Sequence, residues 1–182
     1  CHFFNPVPMM TLVEVTGSAG TSADVVDTVA GLVRRFGREP LHVADVPGFL
    51  VNQIGRGYVI EAALIAEQGI AGFADIDRIM RDAVGFRMGP FELMDLTGLD
   101  VTHPTTERIF VGTGYDPRFR PSEFLRKRME AGQLGCKSGA GFYDYLDGNA
   151  IIVDQPSPPD YDGRPGWIEW GGAGSQGTCS PG

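Results

Sequence analysis

The sequence is poor in cysteine, in basic residues and in long apolar runs, and each shortage excludes a class of protein. Three cysteines among 182 residues, with no CxxC pair, do not make a disulfide framework, so we expect a reducing cytoplasm. Fifteen Lys and Arg against 23 Asp and Glu leave a formal charge of −8, without the basic excess of a nucleic-acid scaffold. The most apolar run, residues 58–66, contains Glu61 and is shorter than the roughly 20 residues of a membrane helix. We therefore expect neither a nucleic-acid partner nor a membrane partner.

Histidine and glycine motifs are also sparse. His2, His42 and His103 lie far apart with no HxxxH or Cys/His spacing, so we expect no metal site, and we interpret the last two as structural. The pairs of glycines at 112–114 and 139–141 lack the third glycine and the preceding strand of a dinucleotide-binding fingerprint. The chain begins at Cys1 without Met or a signal-type apolar segment, so we expect it to be part of a longer polypeptide.

Residues 1–46 have the pattern of the end of an α/β sheet. Two short extended runs, 2–5 and 12–15, flank a connection that contains two prolines. Residues 21–24 resemble a capping box, and apolar residues at helical spacing then continue to Phe36, before Gly37. A further strand is predicted at 41–44. The order β, β, α, β is that of an incomplete α/β layer.

Residues 47–145 have a helical pattern. The spacing of apolar residues, together with glycines and prolines at the ends, predicts helices at 49–68, 75–84, 90–96, 99–112 and 122–131. Asp75 is the predicted cap of the second of these helices, and Pro104 is acceptable in the fourth only within its first turn. An extended aromatic segment is predicted at 142–145. The basic run 126–128 is interpreted as a solvated helix face with Glu123 and Glu130 as partners.

Residues 146–182 differ in composition from the rest. They hold 8 Gly and 5 Pro among 37 residues, and their five acidic residues against one basic residue carry half of the net charge. Both tryptophans lie here as well. We interpret this segment as a linker or tail, or as the beginning of another domain.

The strongest candidate for chemistry is His2 together with Glu14. Imidazole is the usual general base near neutral pH, and a carboxylate on its other nitrogen fixes its tautomer and orientation. A hairpin that turns between residues 5 and 11 would place both on one face. The alternative is that His2 is only a polar residue near the start of the chain and that Glu14 is a solvated residue of a strand.

Two further polar residues are candidates for ligand contacts. Asn52 lies at the start of an otherwise apolar helix, where its amide can donate to a substrate oxygen, although an ordinary surface or capping Asn fits the same pattern. Lys137 lies in a glycine-rich turn and can reach a phosphate or carboxamide, although a solvated Lys is the common alternative. The apolar residues at 86–94 fit either a dimerisation surface or a core.

Six segments occur in an order that resembles the L-3-hydroxyacyl-CoA dehydrogenases, and they cover residues 2–145. They are His2-Phe-Phe-Asn-Pro-Val-Pro8, Leu12-Val-Glu-Val15, Pro47-Gly-Phe-Leu-Val-Asn52, Gly89-Pro-Phe-Glu-Leu93 with Asp95, Gly98-Leu-Asp100, and Gly135-Cys-Lys-Ser-Gly139 leading into Gly141-Phe-Tyr-Asp-Tyr145. The resemblance implies the end of a Rossmann-type NAD-binding domain (1–46) followed by an all-helical dimerisation domain (47–145), similar to the C-terminal domain of 6-phosphogluconate dehydrogenase. The fold class is mostly α.

The resemblance also implies roles for five residues. His2 is the catalytic base, Glu14 its orienting carboxylate, and Asn52 a substrate-binding residue. Asn5 and Lys137 match positions that contact NAD, although Cys136 stands where a basic residue is common. The implied reaction is NAD-dependent oxidation of an L-3-hydroxyacyl-CoA, of the fatty acid β-oxidation type, by a homodimer.

Two alternatives remain open beside this reaction. In the family, the glycine-rich segment, the ribose-binding acid and an active-site serine precede the catalytic histidine, and none of them lies in these 182 residues. We therefore expect the isolated chain to have little activity and weak NAD affinity. One alternative is a non-catalytic helical module for dimerisation and acyl binding, and the other is an enzyme acting on a hydroxy acid without CoA.

Overall fold

The computed structural model describes residues 1–146 and, for the backbone, 149–151. The interpretation of 146–182 as a tail or linker lies outside the described residues, apart from these few positions. In the described part of the chain, no helix is long and apolar enough to cross a membrane.

The N-terminal segment forms a three-stranded sheet with one helix. Strand β1 (His2–Phe3) pairs antiparallel with β2 (Leu12–Val15), and β2 pairs parallel with β3 (Glu39–His42). Helix α1 (Ala23–Arg35) is the crossover between the parallel strands and packs Val26, Val29 and Val33 on the sheet. The order β, β, α, β is as predicted.

Two local predictions in this segment are wrong. The capping box does not form: the N-cap of α1 is Ser22 without a side-chain hydrogen bond, and the hydroxyl of Thr21 instead accepts from the backbone N–H of Ser18 at 3.1 Å. Strand β3 begins two residues before the predicted start and includes Pro40. The parallel register with β2 extends the strand back to Glu39, whose N–H donates to the carbonyl of Thr11 at 2.8 Å.

Five helices follow, close to the predicted spans. They are α2 (Val51–Glu67), α3 (Phe73–Asp82), α4 (Pro90–Thr97), α5 (Leu99–Gly112) and α6 (Glu123–Glu130). Short 3₁₀ turns lie at Pro117–Phe119 and Cys136–Ser138, and β4 (Asp144–Leu146) pairs antiparallel with β5 (Asn149–Ile151). The helices bury one continuous core, which includes Val59, Ala63, Phe91, Met94 and Leu99.

Helix α2 begins two residues later than predicted, and α3 two residues earlier. Before α2, Gly48 (φ 78°) and Phe49 (φ 45°) both have left-handed backbones, so the chain turns sharply there. A Cβ at Gly48 would lie 2.5 Å from the side chain of Ile109 on α5, which requires glycine in this turn. Helix α3 has Gly72 as its N-cap, and Asp75 lies in its first turn rather than at the cap.

The expectation for Pro104 is wrong, because it is the sixth residue of α5 and not in the first turn. Proline cannot donate the backbone hydrogen bond to the carbonyl four residues earlier, which here is that of Asp100. Elsewhere on the same helix, Arg56 on α2 donates to the carbonyl of Thr102 at 3.0 Å and to the hydroxyl of Thr106 at 3.1 Å. Burial lowers the pKa of this guanidinium.

Two buried carboxylates connect the aromatic segment to the helices. Asp77 accepts from the backbone N–H groups of Phe91 and Glu92 at the start of α4 and from the hydroxyl of Tyr143 at 2.7 Å. Asp95 accepts from the N–H groups of Phe142 and Tyr143 and from the hydroxyl of Tyr145 at 2.8 Å. Burial raises the pKa of Asp77, and these hydrogen bonds oppose that shift. We call these two residues with Tyr143 and Tyr145 the carboxylate–tyrosine network.

Candidate active site

The register of β1 against β2 places His2 directly opposite Glu14. The two side chains meet: Nδ1 of His2 lies 2.7 Å from Oε2 of Glu14. The Glu14 side chain is completely buried, whereas a third of the His2 side chain (33%) is exposed. A buried carboxylate thus holds one side of an imidazole that is itself partly exposed.

The second oxygen of Glu14 binds the start of α2. Oε1 accepts from the backbone N–H groups of Leu50 at 3.0 Å and Val51 at 2.8 Å. The first N–H groups of a helix have no partner within the helix, and the helix dipole favours a negative charge there. Glu14 therefore caps α2 from a different element, and this explains why a carboxylate is stable at a fully buried position.

Two aromatic rings pack near the imidazole of His2. The ring of Phe4 lies 4.6 Å from it, and that of Phe49 lies 5.6 Å from it, measured between centroids. The positive φ of Phe49 occurs in the turn that precedes α2, next to the N–H groups that hold Glu14. Positive φ is uncommon for a bulky residue and is typical of functional sites. The two rings cover part of the imidazole that Glu14 does not hold.

This arrangement determines which nitrogen of His2 can act as a base. An ionised carboxylate only accepts hydrogen bonds, so Nδ1 of a neutral His2 must carry the proton that it donates to Oε2. The lone pair then lies on Nε2. An imidazole held in this way can take a proton at Nε2, and the carboxylate can stabilise the imidazolium that results.

The predicted substrate-binding residue lies in the helix turn that Glu14 caps. Asn52 is the second residue of α2 and follows Val51, whose N–H is bound to Glu14. It is partly buried. The same carboxylate therefore fixes both the imidazole and the helix turn that carries Asn52.

The two predicted NAD contacts lie in different parts of the fold. Asn5 is exposed in the loop that follows β1, and its bond to Pro6 is cis. Lys137 lies in the 3₁₀ turn after α6, where its Nζ is 2.5 Å from Oδ1 of Asp100 on α5. Asn5 thus adjoins the His2–Glu14 pair in sequence, and Lys137 is held at the junction of α4 and α5.

Sequence reasoning missed the groups that support the pair. The N–H groups of Leu50 and Val51 and the rings of Phe4 and Phe49 carry no polar signal of their own. A sharp Pro-Gly turn before an apolar helix was the available indication that a helix start lies at the site. Of the remaining histidines, His42 is exposed on β3 and His103 is buried on α5. Among the described residues, no three His, Cys, Asp or Glu lie close enough to hold a metal ion.

Both parts of the chain match known families. Residues 48–145 match the family model described as 3-hydroxyacyl-CoA dehydrogenase, C-terminal domain. Residues 1–46 match the one described as 3-hydroxyacyl-CoA dehydrogenase, NAD binding domain.

Curated relatives and solved structures agree with these matches. 3-Hydroxyadipyl-CoA dehydrogenase of Escherichia coli K12 is 42% identical over 152 residues, which are 84% of this chain and 32% of that protein. The mitochondrial hydroxyacyl-coenzyme A dehydrogenase of Sus scrofa is 40% identical over 144 residues, 79% of this chain and 46% of that protein. The crystal structure of 3-hydroxybutyryl-CoA dehydrogenase from E. coli K12 has a TM-score of 0.79 at 39% identity, covering 87% of this chain and 34% of that one. The chain thus spans about a third to a half of the length of these proteins.

Proposed function

Because the chain belongs to the 3-hydroxyacyl-CoA dehydrogenase family, we propose that it carries the catalytic base and the helical domain of an NAD-dependent enzyme that converts L-3-hydroxyacyl-CoA to 3-oxoacyl-CoA. The observation that carries the proposal is the contact of 2.7 Å between His2 and a fully buried Glu14 that also caps α2. This is the geometry that removal of a proton from a hydroxyl group needs.

The proposed reaction divides between the side chains and the cofactor. Nε2 of His2 takes the proton from the 3-hydroxyl group, and Glu14 stabilises the imidazolium through Oε2. Asn52 donates an amide N–H to the substrate oxygen as it becomes a carbonyl. NAD, when bound, accepts the hydride from C3. Base catalysis of this kind is worth about 10²–10⁴-fold in rate.

The residues present fit part of an NAD site. A third of the His2 side chain is exposed, and residues 5–11 are exposed along their whole length, which leaves Asn5 accessible to a ligand. We propose Asn5 and Lys137 as cofactor contacts on the strength of the resemblance. The ion pair with Asp100 holds the Lys137 side chain in place, so a bound cofactor would share the ammonium group with Asp100. The glycine-rich segment that binds the pyrophosphate in this family is not among the 182 residues.

The identity of the substrate rests on the relatives. Those that match this chain are named for 3-hydroxyadipyl-CoA, hydroxyacyl-coenzyme A and 3-hydroxybutyryl-CoA, and these names support a CoA thioester over a free hydroxy acid. Fatty acid β-oxidation is the proposed metabolic role.

A homodimer is the proposed assembly, through a helical domain of the 6-phosphogluconate dehydrogenase type. Large apolar side chains that are exposed on the helices, such as Ile54, Leu96 and Val101, support it. The three cysteines without a CxxC pair support a reducing cytoplasm as the compartment. The alternative function, a non-catalytic module for dimerisation and acyl binding, is favoured by a dimer that binds acyl-CoA without catalysis.

The test joins the NAD-binding segment of the E. coli relative to residue 1 of this chain and follows NADH oxidation with acetoacetyl-CoA. We expect turnover by the fusion, little by the chain alone, and little with free acetoacetate. A fusion that binds NADH but does not turn over favours the module. Preference for the free acid favours the second alternative, and substantial turnover by the chain alone contradicts the division of the site proposed here.

A further inference from the structure

The loop between β1 and β2 has few contacts of its own, although it follows His2 directly. Every residue from Asn5 to Thr11 is exposed, including the apolar Val7, Met9 and Met10. Within the loop, the N–H groups of Met9 and Met10 donate to the carbonyl of Pro6 at 3.0 and 3.2 Å. These bonds form a turn but do not attach it to the rest of the molecule. The N–H of Glu39 holds only the last loop residue, through the carbonyl of Thr11. The position of the other loop residues therefore depends on a residue elsewhere.

That residue is Arg38, which lies just before β3. Its Nη1 donates to the carbonyl of Met10 at 2.6 Å, and its Nη2 donates to the carbonyl of Pro8 at 3.1 Å. Hydrogen bonds from a charged donor are the strong ones, and a planar guanidinium presents two donors in a fixed fork. A lysine ammonium has no such fork.

The backbone of Arg38 is itself held firmly. At the end of α1, Gly37 has a left-handed backbone (φ 70°), its N–H donates to the carbonyl of Arg34, and the N–H of Arg38 donates to the carbonyl of Val33. This is the pattern of a Schellman motif, which fixes the exit of the chain from the helix. The next residue, Glu39, bonds the carbonyl of Thr11. The backbone of Arg38 is therefore fixed, and its guanidinium extends from this fixed position to the loop.

We propose that Arg38 is a positioning residue for the His2–Glu14 pair and for the loop that carries Asn5. Strand β1 is only two residues long, so its register against β2 depends on how the loop returns the chain. When both guanidinium bonds are formed, the loop keeps one conformation between Phe3 and Leu12, and His2 stays opposite Glu14. The catalytic consequence rests on the proposed function, whereas the structural consequence does not.

The structural test compares amide hydrogen exchange by NMR in the chain, in R38M and R38K, and in R35M as the matched control. Arg35 is exposed in the last turn of the same helix. In R38M we expect the N–H groups of Met9 and Met10 to exchange at least tenfold faster, and the Nδ1 proton of His2 to exchange faster with water. R38K should fall between R38M and the unmodified chain, and R35M should stay within twofold of it. The amides of Ala30 and Val33 report whether α1 remains folded.

The catalytic test places the same variants in the fusion with the NAD-binding segment. We expect R38M to lower kcat about tenfold, because small misplacements of catalytic groups are costly in rate, and R38K to recover part of the loss. If the loop amides of R38M exchange within twofold of the unmodified chain, or if α1 opens equally, the positioning role is wrong. A fusion that never turns over contradicts the proposed function alone, since the exchange experiment still decides the role of Arg38.

Discussion

At the scale of the residue, one buried carboxylate organises the site. Glu14 uses both oxygens, one for the imidazole of His2 and one for the start of α2. The pairing with His2 was predictable, because a short hairpin brings facing residues of two strands together. The bonds to α2 were not, because they join residues 36 and 37 positions apart and no local pattern encodes such a contact.

Glycines of the recognised motifs also act at this scale, by leaving room for the carboxylate–tyrosine network. A Cβ at Gly141 would lie 2.1 Å from Oδ1 of Asp95, and one at Gly89 would lie 2.3 Å from Oδ1 of Asp77. Neither glycine has a left-handed backbone, so the reason for glycine is close approach alone. The sequence showed these glycines in order but could not show what they approach.

We predict opposite effects for two Gly→Ala changes. Gly141→Ala places a methyl group into the buried carboxylate of Asp95 and should lower the free energy of unfolding by about 1–3 kcal/mol. Gly31→Ala, in the interior of α1 where a Cβ meets nothing within 4 Å, should raise it by about 0.5–1 kcal/mol. Urea denaturation of both variants measures the changes. An unchanged midpoint for Gly141→Ala would show that the close approach to Asp95 is not required.

At the scale of the element, helices bounded by glycine and proline were predicted well, and those whose ends depend on tertiary contacts were not. Helix α4 has the predicted Pro90 at its first position and Gly98 at its end. The start of α2 depends on Glu14 and on a left-handed Phe49, and neither follows from propensity. In α6, Arg126 pairs with Glu123 and Glu130 as expected, but Arg128 packs over the ring of Phe142, 4.7 Å from its centroid.

The carboxylate–tyrosine network predicts how stability depends on alkaline pH. Burial, followed by the hydrogen bonds to Asp77 and Asp95, raises the pKa of Tyr143 and Tyr145 above the ordinary value. Above pH about 10 the unfolded chain loses tyrosine protons that the folded chain keeps, so the free energy of unfolding falls as the pH rises. Each such tyrosine contributes a slope of up to about 1.4 kcal/mol per pH unit.

The measurement is urea denaturation between pH 9 and 12 of the chain and of the double variant Y143F/Y145F. The variant should be less stable at neutral pH, because two buried carboxylates each lose a hydrogen-bond donor, and its stability should fall less steeply above pH 10. Equal slopes for the two proteins would mean that these tyrosines do not keep their protons through folding.

At the scale of the whole molecule, the chain joins a piece of an α/β layer to a helical domain. Its first 46 residues match the model of an NAD-binding domain, and the His2–Glu14 pair lies where this piece meets the first long helix. The sequence motifs predicted the end of an α/β layer followed by helices, and they predicted the family. The sequence did not predict that Glu14 itself joins the two parts, so that the proposed orienting carboxylate also stabilises the start of α2.

The central claim is that Glu14 holds the imidazole of His2 with Nε2 free to act as the base. The most direct measurement is the kcat of the fusion for acetoacetyl-CoA with Glu14→Gln, alongside its affinity for NADH. A glutamine can keep its carbonyl oxygen on the N–H groups of α2 but then presents an amide N–H to Nδ1, which favours the imidazole tautomer with its proton on Nε2. We predict a kcat lower by about 10²–10⁴-fold with NADH affinity unchanged. A kcat within threefold of the unmodified fusion would contradict the account.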